Sequence, residues 1–536
     1  MSLTDAHQAL ATGDLVSAET ITRELLAKTP SNAPGLHFLG AVLMHQARFD
    51  EAAAALMQAA KHAPSPDILA LLAQAQYQLR AFADSEAALD RLLNEFPAAV
   101  AVAQFQLLAK LKGAAGKLDE GRAVLARGKS LHPDSIELMV SYAGTFEDMP
   151  DRAGAELEAC LAQVGNAPDK TSYLLKFIMS YRARHVRTAF GPMASFARSW
   201  SETCAWPDGE GLERLRQSLL AEIGGGASAR GGVYLDLACV AMWAGNWQGA
   251  EQLLAHVRNG MTGTFADCLV LNADFHAALE SRDDAAHFAG LAPVRHLVQP
   301  PFQTGETLFL AADPHYFRRF IVPFLSAMDE AGVAADIQVH LLDGTDADWS
   351  EAARDLEKLS TLRIGLSAEA SGAAAQGAAY ARLYYHSVRF IRLYQEVART
   401  QRPLWMLDAD VNFVRDPRPV LAGIAGHDIA LRSNPYCFEP HWKVMGGCLG
   451  VAPTPRGLEF ARRVAAYIAH WKNNGKWIWG VDQLSLFLAY VRMCELQQEP
   501  KTLFIGPDTI CGVGETSGAF QFPAGIQKFI QAAPAA

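Results

Sequence analysis

The sequence predicts a multidomain chain: an all-α solenoid of paired helices followed by an α/β domain built on a mainly parallel sheet. Three observations predict it. One apolar-to-proline register recurs through the first 140 residues. A proline-rich stretch, LAPVRHLVQPPFQTGE at 291–306, then breaks the helical period. From residue 307 onward, strand-like and helix-like segments alternate. The 536 residues exceed what a single hydrophobic core usually serves, which agrees with this division. Half of them are hydrophobic and 19% are charged, so the composition is globular and not that of a disordered chain. The net charge of −10 argues against a general affinity for nucleic acid or anionic lipid, while leaving room for a local basic cleft.

The first register is specific. Leu15, Phe49, Phe82 and Leu118 are each followed fifteen residues later by a proline: Pro30, Pro64, Pro97 and Pro133. Three residues after each apolar position stands a small one: Ala18, Ala52, Ser85 and Gly121. Gly40 and Ala73 fall nine residues before Phe49 and Phe82. The units are 34, 33 and 36 residues apart. Such a unit is two antiparallel helices that approach closely at the small residue and end at the proline. The pattern resembles tetratricopeptide repeats over residues 1–140, without the tryptophan common early in those repeats. The period weakens over 141–290, where Gly245, Trp247 and Ala250 repeat part of it. That region is expected to be irregular helical hairpins extending the solenoid. The resemblance implies a protein or peptide partner on the concave face; a spacer or an oligomerisation module is the structural alternative.

Eight scattered cysteines without a CxxC pair read as reduced packing thiols of a cytoplasmic protein. The N-terminus has neither a basic nor an apolar signal region. No long uncharged apolar run predicts a membrane span, and peripheral membrane association remains compatible with the sequence.

In the second half, residues 307–312 read as a strand, 317–331 as a helix and 337–342 as a second strand. A long helix follows at 378–400 and another strand at 404–407. This strand–helix rhythm implies a parallel sheet, whose ligands bind at the carboxyl ends of strands near a switch in strand order. Two carboxylates follow one strand end directly in LWMLDADVNFVRDP, residues 404–417. Asp408 and Asp410 there suit a hard divalent ion, Mn²⁺ or Mg²⁺, completed by phosphate oxygens of a substrate. A calcium loop fails, because Phe413 stands where its glycine belongs and Pro419 where its glutamate belongs. A phosphatase of the haloacid dehalogenase type expects Thr or Val at Asn412 and places its motif at the start of the domain. Two capping aspartates in a turn are the plain structural reading.

The surrounding segments resemble glycosyltransferase family eight, the glycogenin and bacterial galactosyltransferase type, and so a GT-A (Rossmann-like) nucleotide-sugar transferase domain over 307–536. TLFLAADPHYF carries Ala311, Ala312, Asp313 and Tyr316, and YARL carries Arg382. LDAD carries Asp408, Ala409 and Asp410, MGGCLGV carries Gly446 and Gly447, and VDQ carries Asp482 and Gln483. The resemblance implies that Ala311, Asp313 and Tyr316 meet the base of a UDP-sugar and that Arg382 reaches its diphosphate. It implies that Asp408, Ala409 and Asp410 hold the metal and donor, that Gly446 and Gly447 line the site, and that Asp482 and Gln483 act at the transferred sugar. Taken singly, Asp313 and Asp482 also read as helix caps, Tyr316 as core, Arg382 as a surface residue and Gly446-Gly447 as a turn. A metal-dependent transferase acting on a protein held by the repeats is the expected function. The alternatives are a transferase for surface polysaccharide or lipid-linked glycan, and a non-catalytic scaffold.

The family's asparagine before the glycines is missing, and no histidine follows His470 to serve as the third metal ligand that the resemblance implies. His441, His470, Asp508 and Glu515 are the substitutes on offer, and the stereochemical outcome stays open. Glu439, His441, Trp442 and Lys443, with Trp471, Trp477 and Trp479, form a candidate acceptor platform.

Overall fold

The structure is a computed structural model. It describes residues 2–79, 81–146, 149–163, 169–178, 209–224, 231–244, 246–260, 265–280, 283–303, 305–413, 415–433, 439–442, 444–505, 510–511 and 520–521. The chain forms two compact units, Met1–Gly165 and Asn166–Ala536.

The first unit is a series of antiparallel helical hairpins. Helices begin at each apolar position of the register, at Leu15, Phe49, Phe82 and Leu118. The small positions lie where helices touch. Ala18, Ala52 and Ser85 are fully buried, and Ser85 donates its hydroxyl to the Ala73 carbonyl at 2.8 Å. A Cβ on Gly40 would stand 2.5 Å from the Leu56 side chain, so only glycine lets Ala33–His45 approach Phe49–His62 this closely.

The second unit begins with helices that the sequence had assigned wholly to the solenoid. Residues 141–163 stay with the repeats, whereas the helices from 169 onward belong to the unit that holds the sheet. Contacts across this unit explain the division. Phe275 stacks on Trp471 with ring centroids 5.3 Å apart, worth about 0.5–1.5 kcal/mol beyond its burial. His276 bonds the Tyr467 hydroxyl, and Glu280 accepts from Arg492 at 2.7 Å. The Tyr394 hydroxyl donates to Asp284 at 2.6 Å, and Lys176 pairs with Asp236 at 2.8 Å.

Among the described residues the sheet has eight strands in the order β1-β4-β3-β2-β5-β8-β7-β9. They are β1 Arg295–Val298, β2 Thr307–Ala312, β3 Asp336–Leu342, β4 Arg363–Glu369, β5 Leu404–Leu407, β7 Ile429–Ser433, β8 Val444–Val451 and β9 Thr502–Ile505. A separate small sheet joins β6 Asn412–Phe413 to β10 Ile510–Cys511 and β11 Phe520–Gln521. Strands β2, β3 and β5 are buried along their whole length, because helices cover both faces of this parallel centre. Helices α1 Val322–Glu330 and α2 Asp346–Leu356 contribute Phe324, Leu325, Met328, Trp349 and Ala352 to the core on one face. Helices α3 Ala378–Thr400, α4 Pro455–Asn473 and α5 Val481–Glu495 pack together on the other. The 291–306 stretch expected as a linker is partly strand: β1 pairs antiparallel with β4 and covers the edge of the parallel run, its prolines lying outside the paired residues.

Chain order turns between β2 and β5. From β2 the chain winds outward through β3 and β4, then returns to lay β5 on the other side of β2. The carboxyl ends of β2 and β5 therefore flank the crevice where such sheets bind ligands.

Two outcomes follow. Gly40→Val forces branched carbons against Leu56 and should destabilise the repeat unit by about 1–3 kcal/mol; amide hydrogen exchange in 33–62 should accelerate while exchange in 307–495 stays unchanged. His276 and His441 are buried, and loss of solvation pushes their pKa values down from 6.5 to about 4 and about 3, with Arg492 and Arg463 adding to the effect at His276. A base whose folded pKa lies below its unfolded value lowers stability as pH falls through the unfolded value. The second unit should therefore lose up to about 1 kcal/mol per pH unit for each histidine below pH 6.5. Denaturant titrations at pH 7.5 and 5 check this, with His441→Leu flattening the dependence.

Candidate active site

Both carboxylate-bearing strand ends lie at this crevice. Asp313 follows β2 and caps the turn Pro314–Tyr316, its Oδ1 accepting from the amides of His315 at 2.8 Å and Tyr316 at 3.0 Å. The structure thus gives Asp313 the capping role, and it also lies near enough to Tyr385 to help raise that phenol's pKa, after burial and Asp343. Tyr316 is 43% exposed, with its ring 4.8 Å from Phe320, so it is a surface aromatic rather than a core one. Ala311 is buried within β2.

Asp408 follows β5 directly. Its amide donates to the Gly447 carbonyl at 3.0 Å, which continues the β5–β8 ladder by one residue past Leu407 opposite Cys448. Asp410 is buried, and Ala409 packs against the core. Gly446 is buried on β8 for a steric reason: a Cβ there would meet Asp482 Oδ2 at 2.5 Å. Asp482, near the start of α5, is fully buried, and Gln483 beside it is half-buried.

Arg389 ties these pieces together. Its guanidinium bonds Asp408 Oδ1 and stands 3.9 Å from Asp482 Oδ2, while its Nε donates to the His386 carbonyl at 2.8 Å. Burial opposes its charge, but Asp408 and Asp482, with Asp410 adding to them, raise its pKa above the ordinary value. The rotation of α3 is set further along by a buried cluster on Glu369, which accepts from the Tyr384 hydroxyl at 2.7 Å and pairs with Arg392. Arg382 shares the stripe of His386 and Arg389 but lies two turns nearer the helix N-terminus, where it is exposed.

His386 and Trp479 complete the wall. His386 Nε2 stands 3.1 Å from Asp482 Oδ2, and the imidazole lies parallel to the Trp479 indole, centroids 4.3 Å apart and planes 15° from each other. Trp479 is 60% exposed, in contrast to Trp471, which is core beneath Phe275. Trp477 lies edge-on to Tyr380 and Tyr384, and Trp442 packs under Gly480. Of the candidate platform, Trp479 has the exposed face. His441 is buried beside Trp442 and Phe487, and His470 sits against Phe275 and Trp471. Lys443, Asp508 and Glu515 lie outside the described residues.

The sequence reading had not singled out Arg389, His386, Asp343 or Tyr385. Asp343 adopts a positive φ of 82° at the end of β3 and accepts from the amides of Gly372 and Ala374 and from the Tyr385 hydroxyl at 3.1–3.2 Å, pinning the loop before α3 to the rim. The 382–386–389 spacing on one helical stripe was the available signal for His386 and Arg389.

Two strand-end carboxylates form a hard oxygen donor set, which fits one divalent ion if phosphate oxygens or water supply the rest. Among the described residues, no group of three His, Cys, Asp or Glu is arranged to hold a metal.

Two family matches cover parts of the chain. The family described as nucleotide-diphospho-sugar transferase matches residues 373–491, and a tetratricopeptide repeat family matches residues 9–75. No curated protein matches the chain. Among solved structures, a tetratricopeptide repeat protein from Parabacteroides merdae is 13% identical over 48% of this chain and 91% of its own, with a TM-score of 0.30. MamA from Desulfovibrio magneticus is 13% identical over 30% and 91%, with a TM-score of 0.27. A thermophilic tetratricopeptide repeat protein from Thermus thermophilus is 18% identical over 32% and 94%, with a TM-score of 0.23. The two family matches give the chain N-terminal tetratricopeptide repeats and a C-terminal nucleotide-diphospho-sugar transferase domain. Among the described residues no helix is long and apolar enough to cross a membrane.

Removing the Arg389 guanidinium takes a buried counter-ion from both Asp408 and Asp482. Arg389→Ala should cost about 3–5 kcal/mol of stability in urea denaturation. Adding Asp482→Asn to that variant should recover part of the loss, since it removes one of the two carboxylate charges that Arg389 faced.

Proposed function

We propose that the protein is a metal-dependent glycosyltransferase that moves a sugar from a UDP-sugar to an acceptor presented by its repeat region. The carrying observation is the position of Asp408 and Asp410 at the carboxyl end of β5, beside the turn in strand order and inside the matched residues 373–491. Asp408 and Asp410 would hold Mn²⁺ or Mg²⁺. Bound there, the ion would neutralise charge developing on the departing diphosphate. Asp313 and the exposed Tyr316 ring, past the end of the neighbouring strand, suit the uracil end of the donor. Arg382, exposed beyond the strand ends, suits its phosphates.

Tetratricopeptide arrays present concave surfaces to peptides, so a protein acceptor is the favoured one. A polysaccharide or lipid-linked acceptor uses the same donor chemistry and differs only in what the repeats recruit.

Hydrolysis of a UDP-sugar panel by the full chain, with and without Mn²⁺, tests the donor reading, with water as the acceptor. Release of UDP that needs Mn²⁺ and falls by about 100-fold or more in Asp410→Ala supports it. No release from any donor favours a scaffold with an inactive transferase fold. Mass spectrometry of proteins co-purified through residues 1–165 then separates acceptors: added hexose supports the protein acceptor, and mass shifts confined to lipid-linked glycan exclude it.

A further inference from the structure

Trp479 is the most exposed aromatic side chain among the described residues, and the donor contacts above give it no part. One exposed apolar side chain is ordinary on a protein surface; this one is set apart by how firmly it is held and by where it stands. One face of its indole lies parallel to the His386 imidazole, 4.3 Å away between centroids. Next along the chain, Gly480 precedes α5 with a φ of 88°, and a Cβ there would meet the Trp442 ring at 2.7 Å. Only glycine fits this turn, and Trp442 beneath it fixes where Trp479 leaves the backbone. The second face of the indole is therefore presented to solvent in one orientation, so little ordering is left for a ligand to impose.

The contacts behind Trp479 give its place. Arg389 meets Asp408 and stands 3.9 Å from Asp482, His386 stands 3.1 Å from the same Asp482 oxygen, and Trp479 covers His386. The indole thus lies beyond both the Arg389 and the His386 side chains, counted outward from the strand-end carboxylate. A diphosphate at Asp408 and Asp410 keeps the donor's own sugar next to that carboxylate, because a single oxygen joins the two. A face two side chains further out is free for the second reactant. Its surroundings select among reactants. The stretch leading to it exposes Asn473, Asn474, Gly475 and Lys476, and the His386 side chain keeps 22% exposure. One flat apolar face among polar groups matches a pyranose, which carries C–H bonds on a ring face and hydroxyls round its edge. A peptide or an acyl chain would need several contiguous apolar contacts.

We propose that Trp479, backed by His386, is the binding face for an acceptor sugar, so that the protein lengthens a glycan already present and does not start one on a bare amino-acid side chain. This rests on the transferase reading above. A hydroxyl oxygen of the stacked sugar forms the bond to the anomeric carbon of the donor. The bond from that carbon to the diphosphate oxygen breaks, its electron pair leaves with UDP, and the hydroxyl proton is released to water. A separate transferase has to place the first sugar on the carrier beforehand. A protein that already bears a sugar and is held by the repeats meets both requirements.

The test uses the full chain with Mn²⁺ and whichever UDP-sugar the wild type hydrolyses. Methyl glycosides of glucose, galactose, mannose and N-acetylglucosamine are offered beside N-acetyl methylamides of serine and threonine, and products are read by mass spectrometry. A sugar should be added to at least one glycoside and to neither amino-acid amide. Saturation-transfer NMR with UDP present should show the C–H protons on one face of that glycoside in contact with wild type, and the signal should vanish in Trp479→Ala. The same variant should raise the glycoside KM by about fivefold or more and leave UDP affinity by calorimetry within about twofold. Trp479→Phe, which keeps an aromatic face, should recover part of the KM. Transfer to the serine or threonine amide with every glycoside untouched overturns the proposal. So does donor hydrolysis with no glycoside either modified or seen by NMR, or a glycoside KM that Trp479→Ala changes by less than about twofold. If wild type hydrolyses no UDP-sugar in the presence of Mn²⁺, the transferase reading fails first and this proposal falls with it.

Discussion

One buried guanidinium sets the geometry on which the rest of the site depends. Arg389 stands between Asp408 at the end of β5 and Asp482 at the start of α5, so a strand, the long helix α3 and a second helix share one counter-ion. Without it, both carboxylates would lose a buried counter-ion in a poorly solvated region, which is costly. Its pairing also explains why the chain tolerates acidic residues at the rim of so apolar a sheet. Gly446 is the steric counterpart of the same arrangement, since any side chain there would displace Asp482.

The same economy runs through the second unit. Glu369 gathers Tyr384, Arg392 and His340 behind the sheet and fixes the rotation of α3, while Asp343 fastens the loop that precedes it. The helices from residue 169 onward add to the shell, docking on α4 and α5 through Phe275, His276 and Glu280. Their junction with α4 and α5 combines aromatic contacts with partly buried ion pairs. The repeats rest on a different constraint, the close approach of paired helices at Gly40, Ala52 and Ser85.

Much of this was legible beforehand because it repeats at a fixed spacing or sits in one continuous segment. The register from Leu15 to Pro133 marks helix starts, since burying an apolar stripe and ending at proline are local requirements. The buried runs of β2, β3 and β5 announce a parallel sheet covered on both faces, and Asp408 and Asp410 directly follow such a run. Residues 141–290 read as one extension of the solenoid, whereas the compact units part after Gly165, because an irregular helical hairpin has the same periodicity whichever unit it packs in. Residues 295–298 were read as linker because the prolines around a short edge strand speak louder than its four residues.

By itself, the sequence determined the two architectures, the strand end that carries the paired carboxylates, and the small residues that helix contacts require; each of these follows from spacing along one segment. Only the tertiary structure decided that Arg389 meets Asp408, that Asp482 is sealed behind Gly446, and that His386 lies between Asp482 and Trp479. Those relations join residues far apart in the chain, such as His386 and Asp482. They depend on the rotation of α3 and the seating of α5, which packing sets and no local pattern encodes.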